Sequence, residues 1–144
     1  MRACLLAPLL ALTILLLPAS AIAADIASLC YTTCETGTDS NPAFKACLAR
    51  AADAADAKLN KAYKGLQAEI RAIAMELGQK PGLQLSSLTG AQKRWIAYRD
   101  ANCTFEDELA FGGTAIGGNY SACLCALSYE RVEDFARIRK HVLE

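Results

Sequence analysis

The sequence predicts an all-α fold: an antiparallel bundle of three main helices carrying three disulfides. Three observations lead there. Apolar residues recur at steps of three and four along most of the chain. Breaks rich in glycine or proline divide that pattern into three long segments. Six cysteines follow a leader of the export type, an even number that implies disulfides in a small exported chain.

The leader reads "MRACLLAPLLALTILLLPASAIAADIASLC". Arg2 precedes an apolar run from about Leu5 to Leu17, and Pro18 leads to the triplet Ala21-Ile22-Ala23. Charge, apolar core and A-x-A in that order describe a secretory signal peptide. Residues 1–23 are therefore expected to be removed, leaving residues 24–144 as a single domain in the periplasm or secreted. The rival reading is an uncleaved anchor, since the apolar stretch nearly reaches the ~20 residues a bilayer needs. Pro8, Pro18 and the cleavage-like triplet weigh against it. Leu29 stands where a lipidation signal on Cys30 would need a small residue. No stable membrane insertion is expected after cleavage.

Losing Arg2 would leave 14 basic side chains (15 less one) against 15 acidic. That balance lacks the basic excess of a nucleic-acid binder. No second apolar run is long enough to span a membrane.

The first helix is expected from 42 to 77, with Asn41 as cap and Pro42 in the first helical position. Its apolar stripe is Phe44, Leu48, Ala51, Ala55, Leu59, Tyr63, Leu66, Ile70, Ile73 and Leu77; Gly78 and Pro81-Gly82 end it. The second is expected from about Ser87 to Leu109, burying Leu88, Ala91, Trp95, Tyr98, Ala101 and Phe105. "FGGTAIGGN" then interrupts the pattern with four glycines. The third runs from about Tyr120 to Val142, with Tyr120, Leu124, Leu127, Phe135, Ile138 and Val142 on one face and Arg131 among them. Residues 25 to 34 suit a helical turn, and "TAIGG" is too short for a strand. Three such helices with short connections make a bundle.

Cys4 leaves with the leader, so Cys30, Cys34, Cys47, Cys103, Cys123 and Cys125 remain. Cys34 and Cys47 flank the entry to the first long helix. Cys103 and Cys123 stand at neighbouring ends of an antiparallel hairpin. Cys30 and Cys125 are left to each other, and the alternative exchanges Cys30 with Cys34. A zinc site would favour C-x2-C pairs over the C-x3-C and C-x-C spacings present, and thiolates in a reducing compartment. A redox dithiol at Cys123 and Cys125 is a weak alternative.

The chain resembles the exported family named after the LprI-type lysozyme inhibitor, its N-terminal domain, formerly a domain of unknown function. The residues that carry the resemblance are the Cys34 and Cys47 pair and "DAKLNKAY", with Asp56, Leu59, Asn60 and Tyr63. "AQKRWIAYRDANC" follows, with Ala91, Gln92, Trp95, Tyr98, Arg99, Asp100 and Cys103, and then Gly112-Gly113. Last comes "CLCALSYER", where Cys123, Ser128 and Arg131 fit the family's Cys and Thr-x-x-Arg positions. The likeness spans about residues 34 to 140. Cys30 and Cys125 look additional to a four-cysteine pattern, which independently marks them as a pair. The founding inhibitor's lipid anchor is not expected here, which implies a soluble periplasmic or secreted form. The resemblance implies a helical, disulfide-bonded envelope protein whose partner is a lysozyme or another cell-wall-lytic protein.

Candidate residues fall into two groups. Asp56, Trp95, Arg99, Asp100 and Arg131 read as a structural network, because charge on a buried face must be paired. Glu106, Asp107 and Glu108, with Phe111, Gly112, Gly113 and Ile116, read as a partner-binding end: acids that steer a basic partner and a glycine-rich loop that docks. No pair of carboxylates is singled out for glycoside hydrolysis, and Ser128 and Thr104 have no histidine near them in sequence. The expectation is a binding protein with no catalytic residue, metal or cofactor. The alternative is a non-inhibitory periplasmic scaffold or interaction module. Oligomeric state stays open.

Overall fold

The computed structural model describes residues 30–35 and 40–143. The expected leader and its expected cleavage site lie outside these residues. A short helical segment at residues 30–35, α1, precedes three long helices: α2 (Asn41–Glu76), α3 (Gly82–Glu108) and α4 (Gly118–Ile138). A π-helical turn, Arg139–Leu143, extends α4. The fold is all-α, as the periodicity predicts. No helix among the described residues is long and apolar enough to cross a membrane.

The principal interface joins α2 to α4; α3 lies closer to α4 and reaches α2 chiefly through side chains. Leu48, Ala52, Ala55, Leu59 and Leu66 present one buried stripe of α2. From α4, Ala122, Cys125, Ala126, Ser128 and Phe135 are buried. The small residues Ala52 and Ala55 pack with Cys30 and Cys125 at one level. One level nearer the start of α2, Leu48 packs with Cys34 and Ala122. At the other end, Phe135 fills the space between Leu59 and Leu66, with Leu88 and Trp95 of α3 against that cluster. Burying a side chain such as Phe135 contributes about 2–3 kcal/mol.

The six described cysteines form the favoured pairs: Cys30–Cys125, Cys34–Cys47 and Cys103–Cys123, with Cα–Cα distances of 6.3, 5.7 and 5.4 Å. Cys123 and Cys125 each bond to a different partner. The exchange of Cys30 with Cys34 is not what forms.

Several boundaries and faces differ from expectation. Ser40, not Asn41, caps α2, its Oγ accepting from the amide of Ala43. The Asn41 side chain instead donates to the carbonyl of Thr114 in the glycine-rich loop at 3.1 Å. Leu77 is exposed, because α2 ends one residue before it. Helix α3 begins at Gly82, five residues before Ser87.

The inner face of α3 is the main correction. Leu88 and Trp95 are half-buried as expected, but Ala91, Tyr98, Ala101 and Phe105 are exposed. Gln92 and Cys103 are the buried residues of α3, and Arg99 stands with them. The reason is chemical: Gln92 meets Arg131, Arg99 meets Asp56 and Ser128, and Cys103 is tied to Cys123 on that face. In α4, Tyr120, Leu124, Leu127 and Ile138 are only half-buried, beside the smaller residues that make the close contact.

Candidate functional site

The network residues meet between the three helices. Arg99 Nη1 lies 2.8 Å from Asp56 Oδ1 on α2 and donates to Ser128 Oγ on α4 at 3.0 Å. Its Nε donates to Asp100 Oδ1 at 3.0 Å. Burial alone would lower the Arg99 pKa. Hydrogen bonds to Asp56 and Asp100, and their charge, outweigh that and raise it above the ordinary value. The guanidinium therefore stays charged throughout the accessible pH range.

Trp95 lies between two cations: the Arg99 and Arg131 Cζ atoms are 5.4 and 5.6 Å from its ring centroid. Arg131 also covers Phe135 at 4.8 Å. It donates to Gln92 Oε1 at 3.3 Å and pairs with Asp134 at 3.2 Å. The planar guanidinium combines stacking with directional hydrogen bonds. Sequence reasoning gave no role to Gln92 in this network, although a glutamine one residue after Ala91 is where a polar inner face would show itself.

The second group gathers at the C-terminal end of α3, near the start of α4. Cys103–Cys123 ties the two helices. The connection passes through Phe111, Gly112, Gly113 and Ile116. The three acids do not act alike. The Asp107 carboxylate accepts from the backbone amides of Gly117 at 2.7 Å and Tyr120 at 3.1 Å, so it caps α4. Gly117, at φ 80°, occupies the capping position without a side chain of its own, in a conformation that favours glycine. Glu106 accepts from Asn102 Nδ2 at 2.7 Å. Glu108 is exposed and its side chain has no hydrogen bond or ion pair among the described residues.

Burial, followed by the charges of Glu106 and Asp107, raises the Tyr31 hydroxyl pKa. The negative field of this end thus extends from α3 to α1. Tyr31 also donates to Asn119 Oδ1 at 3.2 Å. A recess of about 530 Å³ opens beside it, lined in part by Glu35, Phe44, Thr114 and Asn119.

Phe111 is the most exposed large apolar side chain described, at 90%, and has φ 47°. Left-handed backbone costs a residue with a Cβ roughly 1–2 kcal/mol. Phe111 therefore recovers nothing from burial while occupying a disfavoured conformation. Ile116 is exposed as well. This end thus combines a projecting aromatic ring, a loop tied at its base by Cys103–Cys123 and the exposed carboxylate of Glu108.

A family model described as lysozyme inhibitor LprI matches residues 32–135. An uncharacterized protein of Rhizobium meliloti (strain 1021) is 35% identical over 88 residues, covering 59% of this chain and 63% of the relative. The match therefore spans less than two thirds of that protein's length. No solved structure matches the chain.

Proposed function

The chain belongs to the lysozyme inhibitor LprI family, and on that premise we propose that it is an exported protein that binds a peptidoglycan-cleaving lysozyme and occludes it. The periplasm, or the medium after secretion, is where the leader would deliver it and where its three disulfides would persist. Inhibition is by reversible contact, with no chemical step.

The observation that carries this reading is Phe111, held 90% exposed on left-handed backbone between two cross-linked helices. Strain maintained at an exposed position calls for a functional reason. In this reading Phe111 and Ile116 enter the partner's cleft while Gly112 and Gly113 keep the loop from obstructing it. Glu108 and the outward charge of Glu106 speed encounter with a basic lysozyme; complementary charge acts mainly on association rate. Asp107 contributes indirectly by fixing the loop to α4. A loop already ordered before contact loses little entropy on binding.

The test is wall clearing: turbidity of a bacterial wall suspension treated with lysozymes of different types, with and without the purified protein. Dose-dependent slowing of at least one type supports inhibition. Full activity of every type at micromolar protein rejects it and favours a non-inhibitory interaction module. The exposed aromatic residues of α3 are the observation that keeps this second reading in view.

A further inference from the structure

The outward face of α3 is a second surface, which shares only Glu108 with the loop end. Seen down the helix, Arg94, Ala97, Tyr98, Ala101, Thr104, Phe105 and Glu108 share the side opposite Gln92 and Cys103. All seven are exposed. Tyr98 and Phe105 are each 58% exposed, and no other element covers them among the described residues. Among the described residues, neither the Arg94 nor the Glu108 side chain forms an ion pair.

This face is complementary to itself. Place a twofold axis through Ala101 and run two α3 helices antiparallel. Residues equally far before and after 101 then meet. Arg94, seven before, faces Glu108, seven after. Ala97 faces Phe105, a small residue opposite a large one. Tyr98 faces Thr104. The contact between Ala101 and its counterpart lets the backbones approach at the axis. Each charged pair occurs twice by symmetry, as an isologous interface requires.

We propose that the α3 face docks a second copy of this chain, forming an antiparallel twofold dimer through Arg94–Glu108 pairs around Ala101. The pattern of small, aromatic and charged positions fixes both partner and direction: a parallel pair would set Arg94 against Arg94 and Glu108 against Glu108. One helix face is a small interface, so the dimer forms in the micromolar range. The inference does not rest on lysozyme binding.

Sedimentation equilibrium of the purified protein, as the expressing bacterium processes it, tests the proposal from low to high micromolar concentration. The mass should rise from one chain to two. R94E and E108R alone should each weaken association about tenfold or more, since each turns two attractive contacts repulsive. The R94E/E108R double variant should return to within about threefold of the parent. Both sites are exposed, and circular dichroism verifies that the variants stay folded. A monomer at every concentration, or a dimer indifferent to both single reversals, overturns the proposal. Failure of the double variant to recover overturns it as well.

Discussion

Replacing Arg99 with methionine keeps most of the aliphatic stem and deletes the charged head, isolating what the network contributes. Ser128 Oγ is fully buried and loses its charged partner at 3.0 Å. A hydrogen bond to a charged group is worth about 1.5–3 kcal/mol, and rotation of the hydroxyl toward its own helix recovers part of it. Asp56 and Asp100 are each 47% exposed and return to water, so their pairs add no more than about 0.5 kcal/mol apiece. Loss of the cation over Trp95 removes about 0.5–1 kcal/mol. The total is about 2–3 kcal/mol, or a fall in Tm of roughly 8–12 °C for a domain of this size. Urea denaturation under non-reducing conditions measures it. Lysine should recover only part, because one ammonium cannot reproduce the fork that bridges Asp56, Asp100 and Ser128. A loss below about 0.5 kcal/mol, or full rescue by lysine, would refute the assignment of Arg99 as the link between helices.

Other outcomes follow from the same geometry. Phe111→Gly should leave the fold equally stable or up to about 1 kcal/mol more stable in urea, since glycine accepts φ 47° and no buried contact is lost. Asp107→Ala should cost about 1–2 kcal/mol by removing the cap on Gly117 and Tyr120, and amide exchange should accelerate at the start of α4. Burial, then the neighbouring charge of Asp134, raises the Glu130 pKa. The folded form thus holds this proton more tightly than the unfolded chain, and the parent loses stability as pH rises through the interval just above the ordinary carboxylate value. Stability of Glu130→Gln relative to the parent should therefore increase from pH 4 to pH 7, read from urea midpoints. Removing Cys30–Cys125, which spans 95 residues, should cost more than removing Cys34–Cys47, which spans 13. Chain entropy gives about 4.7 against 3.0 kcal/mol, and paired alanine variants compare them.

How far the sequence could be read depended on which force holds each part. The stripe of α2 was legible because an apolar period ran without interruption from Phe44 to Ile73. The cysteines were legible because helix ends place few of them within bonding reach. The face of α3 was not. Counting apolar residues selects Ala91, Tyr98, Ala101 and Phe105, whereas Gln92, Arg99 and Cys103, one or two positions further along, point inward. Polar residues seat that helix, and polarity carries no period when it appears on both faces. Asp107 looked like one acid among three; its capping role depends on amides 10 and 13 residues later, which only the closed loop brings near. The conformation of Phe111 was hidden for a similar reason, since a bulky residue gives no local sign of left-handed backbone.

The proposed role of Phe111, as the side chain through which a cross-linked helical frame engages a lysozyme, can be measured on the purified protein. Its most direct test is a calorimetric titration of the parent and Phe111→Gly into whichever lysozyme the wall assay shows to be inhibited. The parent should form a saturable one-to-one complex, and the variant should bind about tenfold or more weakly at equal or greater urea resistance. Equal affinities for the two proteins, or no heat of binding with any lysozyme type, would contradict it.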